Sequence, residues 1–81
     1  MTTQLVLTLG EILKLWRERA NLTQRELGER LELSRNTINR YESGGVPRWR
    51  DVEAWADKCG HADPEVAREA WSLIARYLQA A

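Results

Sequence analysis

Cysteine occurs once in this chain, as Cys59, so no disulfide can close within it and no cysteine-rich zinc site can be assembled. The ordinary role for such a side chain is that of a small buried apolar residue. Histidine is equally scarce. His61 stands between Gly60 and Ala62 with no serine, cysteine or carboxylate at a catalytic spacing, and it is assigned to the surface. No apolar run approaches the ~18 residues that span a bilayer. The N-terminus lacks the basic-then-apolar order of a secretory signal, so a cytoplasmic location is expected. There is no internal repeat and no low-complexity segment. With 81 residues there is room for one core, and a deep water-excluding catalytic pocket is hard to house without a metal, disulfides or a partner subunit. We therefore expect no enzyme, no metal and no cofactor; binding on an exposed surface is the easier task.

An excess of either charge is also missing, since 12 Lys and Arg balance 12 Asp and Glu. That balance at first argues against nucleic acid, where phosphate neutralisation supplies most non-specific affinity. The distribution argues the other way. Between residues 14 and 50 lie nine bases (Lys14, Arg17, Arg19, Arg25, Arg30, Arg35, Arg40, Arg48, Arg50) and five acids, whereas residues 51–81 hold six acids and three bases. Eight of the nine central bases are arginine, whose planar fork suits phosphate and guanine. The rest of the composition, 43% hydrophobic and 30% charged, is that of a folded globular domain.

Apolar periodicity and capping signals predict an all-α chain of about five helices. Leu5, Val6 and Leu7 form a β-prone stretch too short to stand alone as a sheet, and residues 1–8 read as an arm, a strand shared with a partner or a cover for the core. Thr8 and Glu11 have capping-box spacing and open a first helix with Ile12, Leu13, Trp16 and Ala20 on one face. Asn21 tolerates the left-handed backbone that ends a helix. Thr23 and Glu26 repeat the capping box, and the helix they open is short, residues 24–30, with Leu27 and Leu31 inward. After the turn Leu31-Glu32-Leu33, Ser34 caps a third helix extending to residue 42, with Ile38 and Tyr41 inward. Gly44-Gly45-Val46-Pro47 forms a loop. A fourth helix carries Trp49, Val52, Trp55 and Ala56, and ends at Gly60. Asp63-Pro64 opens a last helix bearing Val66, Ala67, Ala70, Trp71, Ile74 and Leu78 at helical spacing.

Two short helices joined by a tight turn, residues 24–30 and 34–42, have the dimensions of a helix-turn-helix unit. Leu27, Leu31, Leu33, Ile38 and Tyr41 are the apolar positions such a pair needs, and Gly28 is small enough to let the second helix approach. Over residues 9–60, and above all in Leu22-Thr23-Gln24-Arg25-Glu26-Leu27, in Leu33-Ser34-Arg35-Asn36-Thr37-Ile38-Asn39-Arg40-Tyr41-Glu42-Ser43-Gly44 and in Pro47, the chain resembles the Cro/CI-type helix-turn-helix domains. These are the lambda-repressor-like five-helix bundles of phage repressors and many bacterial regulators.

The resemblance implies a sequence-specific regulator of transcription, acting as a repressor, that places residues 34–42 in the major groove of an operator. Arg35, Asn36, Asn39 and Arg40 match the base-reading positions. Their chemistry fits, because arginine can donate twice to guanine O6 and N7 and asparagine can exchange two bonds with adenine. Gln24 matches a glutamine that contacts a phosphate and helps fix a base-reading side chain. Thr23, Arg25, Ser34, Thr37 and Arg48 complete the expected backbone contacts, which position the protein without specifying sequence. Arg17 and Glu42 stand where many members hold a partly buried ion pair. Two positions depart from the pattern: Glu32 occupies the turn position usually taken by glycine, and Arg48 stands where a capping serine is common.

Each feature also has a plainer reading. Polar residues on one side of a helix can be a solvated face, and Arg25 and Arg30 can serve solubility alone. Four tryptophans would suit base stacking, but each falls on an apolar stripe, and Trp16, Trp49 and Trp55 are expected in the core, with Trp71 the exception. The stripe of the last helix, Ala67, Ala70, Trp71, Ile74 and Leu78, either forms a homodimer interface, the reading we prefer, or caps the domain. A homodimer would read a near-palindromic operator with recognition helices about 34 Å apart. The rival reading is a protein-interaction module, such as an antitoxin, that keeps the fold and works through the acidic C-terminal third and the stripe around Trp71.

Overall fold

The computed structural model describes residues 7–60 and 62–80, without the side chains of 77–80. The expectation for Leu5 and Val6, and those for His61 and the Leu78 side chain, lie outside the described residues. Five helices follow in order: α1 (Leu9–Arg19), α2 (Gln24–Leu31), α3 (Arg35–Glu42), α4 (Trp49–Lys58) and α5 (Glu65–Ala80). Among the described residues there is no strand and no helix long and apolar enough to cross a membrane.

Local chemistry starts and stops these helices where the sequence indicates. Thr8 Oγ1 accepts from the Glu11 amide while Glu11 Oε1 accepts from the Thr8 amide, and Thr23 and Glu26 do the same for α2. Both boxes satisfy amides that the first helical turn leaves without partners. Ser34 Oγ accepts from the Thr37 amide to open α3. Arg48, at the N-cap of α4, makes no side-chain capping bond, as its long cationic side chain implies. Asn21 and Glu32 both adopt the left-handed backbone, each with φ 58°. Glu32 does so because the Leu33 amide must turn back to donate to the Gly28 carbonyl at 2.8 Å.

Leu13, Leu27, Ile38, Val52 and Trp55 are fully buried at the centre, with Leu9, Ile12, Trp16, Leu22, Tyr41, Ala56 and Ala67 around them. Trp55 Nε1 donates to the Leu13 carbonyl at 3.0 Å, so burying the indole leaves no unsatisfied donor. Two glycines set how closely helices meet. A Cβ at Gly28 would lie 2.6 Å from the Leu33 carbonyl oxygen, and one at Gly10 would collide with the Glu42 carbonyl, so neither approach tolerates a side chain. The first fixes the α2–α3 turn, and the second seats the end of α3 against α1.

The stripe of α5 packs within the chain at Ala67, Ala70, Trp71 and Ile74, of which the last three stay half-buried. Ala67 is completely buried in the common core, and the other three pack against it. Trp71 packs against Trp49 with ring centroids 5.3 Å apart and planes tilted by 54°, and it donates its indole N–H to the Pro47 carbonyl at 2.7 Å. α5 also packs against α1. Cys59 is half-buried rather than buried.

Candidate nucleic-acid interface

The face formed by α3 and the N-terminal end of α2 gathers the residues singled out above. Ile38 and Tyr41 point into the core, and at 100° per residue Asn36, Arg40 and Ser43 fall on the opposite side of α3. Arg35 and Asn39, one turn apart, fall on the flank toward α2. There Arg35 joins Arg17, Thr23, Gln24 and Arg25 around an open depression of about 390 Å³. Arg40 lies on the loop side, its guanidinium 5.7 Å from the Tyr41 ring centroid and its stem against Gly45. Arg35, Asn36, Asn39 and Arg40 are all exposed, as are Thr23, Arg25, Ser34 and Arg48. Gln24 and Thr37 are half-buried. Ser34 and Thr37 hydroxyls meet at 2.9 Å, so one of the two protons stays free for an outside acceptor.

Beneath this face lies the expected ion pair. Arg17 Nε donates to Glu42 Oε2 at 2.6 Å and its Nη2 to Glu42 Oε1 at 3.1 Å, a bidentate arrangement with only 12% and 4% of the two side chains exposed. Arg17 Nη1 donates to the Leu22 carbonyl at 2.8 Å, tying the α1–α2 turn to the same group. The hydrogen bonds to Glu42 hold the Arg17 guanidinium above its ordinary pKa, against the opposing effect of burial. Gln24 Nε2 donates to Glu42 Oε1 at 3.1 Å and to Asn39 Oδ1 at 3.2 Å. The glutamine that the resemblance assigned to fixing a reading side chain therefore bonds Asn39, and it does so from an anchor in the ion pair.

Internal contacts also decide the charge of the face. Glu26 is occupied by the cap of α2, Glu29 lies 3.6 Å from Arg25, and Glu42 holds Arg17. Among the described residues Arg35, Arg40 and Arg48 enter no ion pair, so the face presents uncompensated positive charge although the chain as a whole is neutral. Residue pattern did not reveal the close approach at Gly10, nor the bonds from Gln24 to Glu42, from Arg17 to the Leu22 carbonyl and from Trp71 to the Pro47 carbonyl. Gly10 left one signal: a glycine in the first turn of a helix costs stability unless another backbone needs the space.

Taken with these contacts, the short α2, the left-handed turn and the crossing α3 define a fold class that places its second helix in the major groove of DNA. A family model described as a helix-turn-helix domain matches residues 8–71, and the chain belongs to that family. The match takes in the first half of α5, in line with the burial of Ala67. Searches of curated proteins and of solved structures return no significant match.

Proposed function

We propose that this chain is a sequence-specific regulator of transcription that works as a repressor of the Cro/CI type in the cytoplasm, occupying a double-stranded operator as a homodimer. Arg35, Asn36, Asn39 and Arg40 read base edges. Thr23, Arg25, Ser34, Thr37 and Arg48 contact phosphates, as does Gln24 through its backbone N–H at the start of α2, since both protons of its side-chain amide are spent within the protein. The observation that carries this reading is the exposed, uncompensated arginine face on α3, built over an ion pair that consumes the nearest acid. Phosphate contacts make affinity fall with salt, with a log–log slope of about −0.9 for each phosphate neutralised.

We place the homodimer contact on a second apolar surface, beside the α5 stripe expected from sequence. Leu7, Leu15 and Val66 are 40%, 42% and 63% exposed and line a groove of about 460 Å³ between α1 and α5. Ile12 and Leu15 lie on the flank of α1 opposite Gly10 and Arg17, so a second copy seated there leaves α3 free for the operator. Such a dimer reads half-sites about 34 Å apart.

Selection from a pool of random duplexes at moderate salt tests both statements. The native chain should enrich a near-palindromic site that an Arg35→Ala, Asn36→Ala variant of unchanged helicity no longer enriches. A Leu15→Glu, Val66→Glu variant should sediment as a monomer and enrich half-sites only. The same exposed apolar groove also suits a protein partner. If no site emerges and the native and Arg35→Ala, Asn36→Ala chains behave alike, the interaction-module reading replaces this one.

A further inference from the structure

A carboxylate is an acceptor only and a guanidinium a donor only, and from that fact the orientation of two neighbouring amides follows. Glu42, clamped by Arg17, can only accept. Gln24 must therefore turn its NH2 group toward Glu42 Oε1, and it does so at 3.1 Å. The same nitrogen has one further proton, and it faces Asn39 at 3.2 Å. Asn39 must then present Oδ1 to Gln24, because a reversed amide would set NH2 against NH2. No hydrogen bond among the described residues uses Asn39 Nδ2, and Asn39 is exposed.

We infer that the buried ion pair sets, through Gln24, the polarity with which Asn39 meets a base. Asn39 offers the groove its NH2 group while its oxygen is held by Gln24. It is a donor, and in the major groove it selects guanine, whose N7 and O6 are both acceptors, over adenine, whose N7 is flanked by the N6 donor. Glu42 and Gln24 are positioning residues for this choice. The bidentate exchange with adenine that an unrestrained asparagine can make is disfavoured here, because Gln24 takes one of the two lone pairs of its oxygen and turns that oxygen toward α2, away from the position a base edge would need. The inference rests on the DNA-reading function proposed above, and it is tested in one part that needs no DNA.

In the free protein, hydrogen exchange of the side-chain carboxamides, assigned by NMR with Gln24→Met and Asn39→Ala variants, should show slowed Gln24 NH2 protons and freely exchanging Asn39 NH2 protons. The reverse pattern overturns the relay. With duplexes, the base pair whose preference is erased by Asn39→Ala should be guanine-selective in the native chain. Gln24→Met should relax that preference toward adenine by roughly five-fold, the worth of about one ordinary hydrogen bond, whatever it does to overall affinity. Asn39→Asp, which can only accept, should shift the preference to cytosine with its N4 donor. Adenine preferred by the native chain, or guanine preference unchanged in Gln24→Met, overturns the inference. If no duplex is preferred while the exchange pattern holds, the DNA-reading function fails and the amide relay stands.

Discussion

Replacing Glu42 by alanine removes the acceptor on which α1, α2 and α3 converge. Three hydrogen bonds disappear, two from Arg17 and one from Gln24, and Arg17 keeps only its bond to the Leu22 carbonyl. With 12% of the Arg17 side chain exposed, water cannot replace the lost partners without opening the α1–α3 contact. A buried ion pair broken on one side typically costs about 3–5 kcal/mol. The lower end, about 3 kcal/mol, is expected here because the Leu22 carbonyl remains. Against the roughly 4–12 kcal/mol typical of a chain this size, that is a large fraction. Urea unfolding followed by tryptophan fluorescence reads it directly. At a slope of about 1 kcal/mol per molar, the midpoint should fall by about 3 M or the transition should vanish. The paired replacement Arg17→Met, Glu42→Leu removes both charges together and should regain most of the loss. A Glu42→Ala chain within about 1 kcal/mol of the native one, or a paired variant no better than the single one, would refute the reasoning that desolvation of a stranded guanidinium is the cause.

Glu32→Gly should raise the thermal midpoint by a few degrees, because glycine accepts φ 58° without the strain of about 1–2 kcal/mol that a side chain brings, which exceeds the about 0.4–1 kcal/mol that its greater unfolded freedom costs. Gly28→Ala should lose about 2 kcal/mol in urea, since its methyl would sit 2.6 Å from the Leu33 carbonyl oxygen, and native-like stability would show that the turn can move. Backbone hydrogen bonds from Thr8 and Thr23 hold Glu11 and Glu26 below the usual carboxylate range. Their contribution is therefore present above the unfolded value of about 4.3 and is lost as pH falls through the lowered one. A Glu11→Gln, Glu26→Gln variant keeps the caps without the charge, so its urea midpoint should decline less steeply than the native one below about pH 4.5. Burial raises the Cys59 thiol above its ordinary pKa, so alkylation at pH 8 should be slower than for a free thiol and should speed up in urea.

The helices, their order and most of their ends could be read from the sequence, because those features depend on neighbours three or four residues away. Capping at Thr8, Thr23 and Ser34 and the inward placement of Ile38 and Tyr41 are such local matters. The Arg17–Glu42 pair was legible only through resemblance, since nothing local links residues 25 positions apart. What the sequence could not decide is whether the apolar stripe on α5 meets the core of its own chain or a second copy. Ala67, Ala70, Trp71 and Ile74 have the right spacing for either role. Only the position of the Pro47 carbonyl and of Trp49 determines that Trp71 turns inward, leaving Val66 and Leu73 outside. The same holds for the reading face. The sequence supplied an asparagine and a glutamine, each able to present either end of its amide. Packing α3 across α2 set both against a carboxylate that can only accept, and that long-range contact gave them a direction.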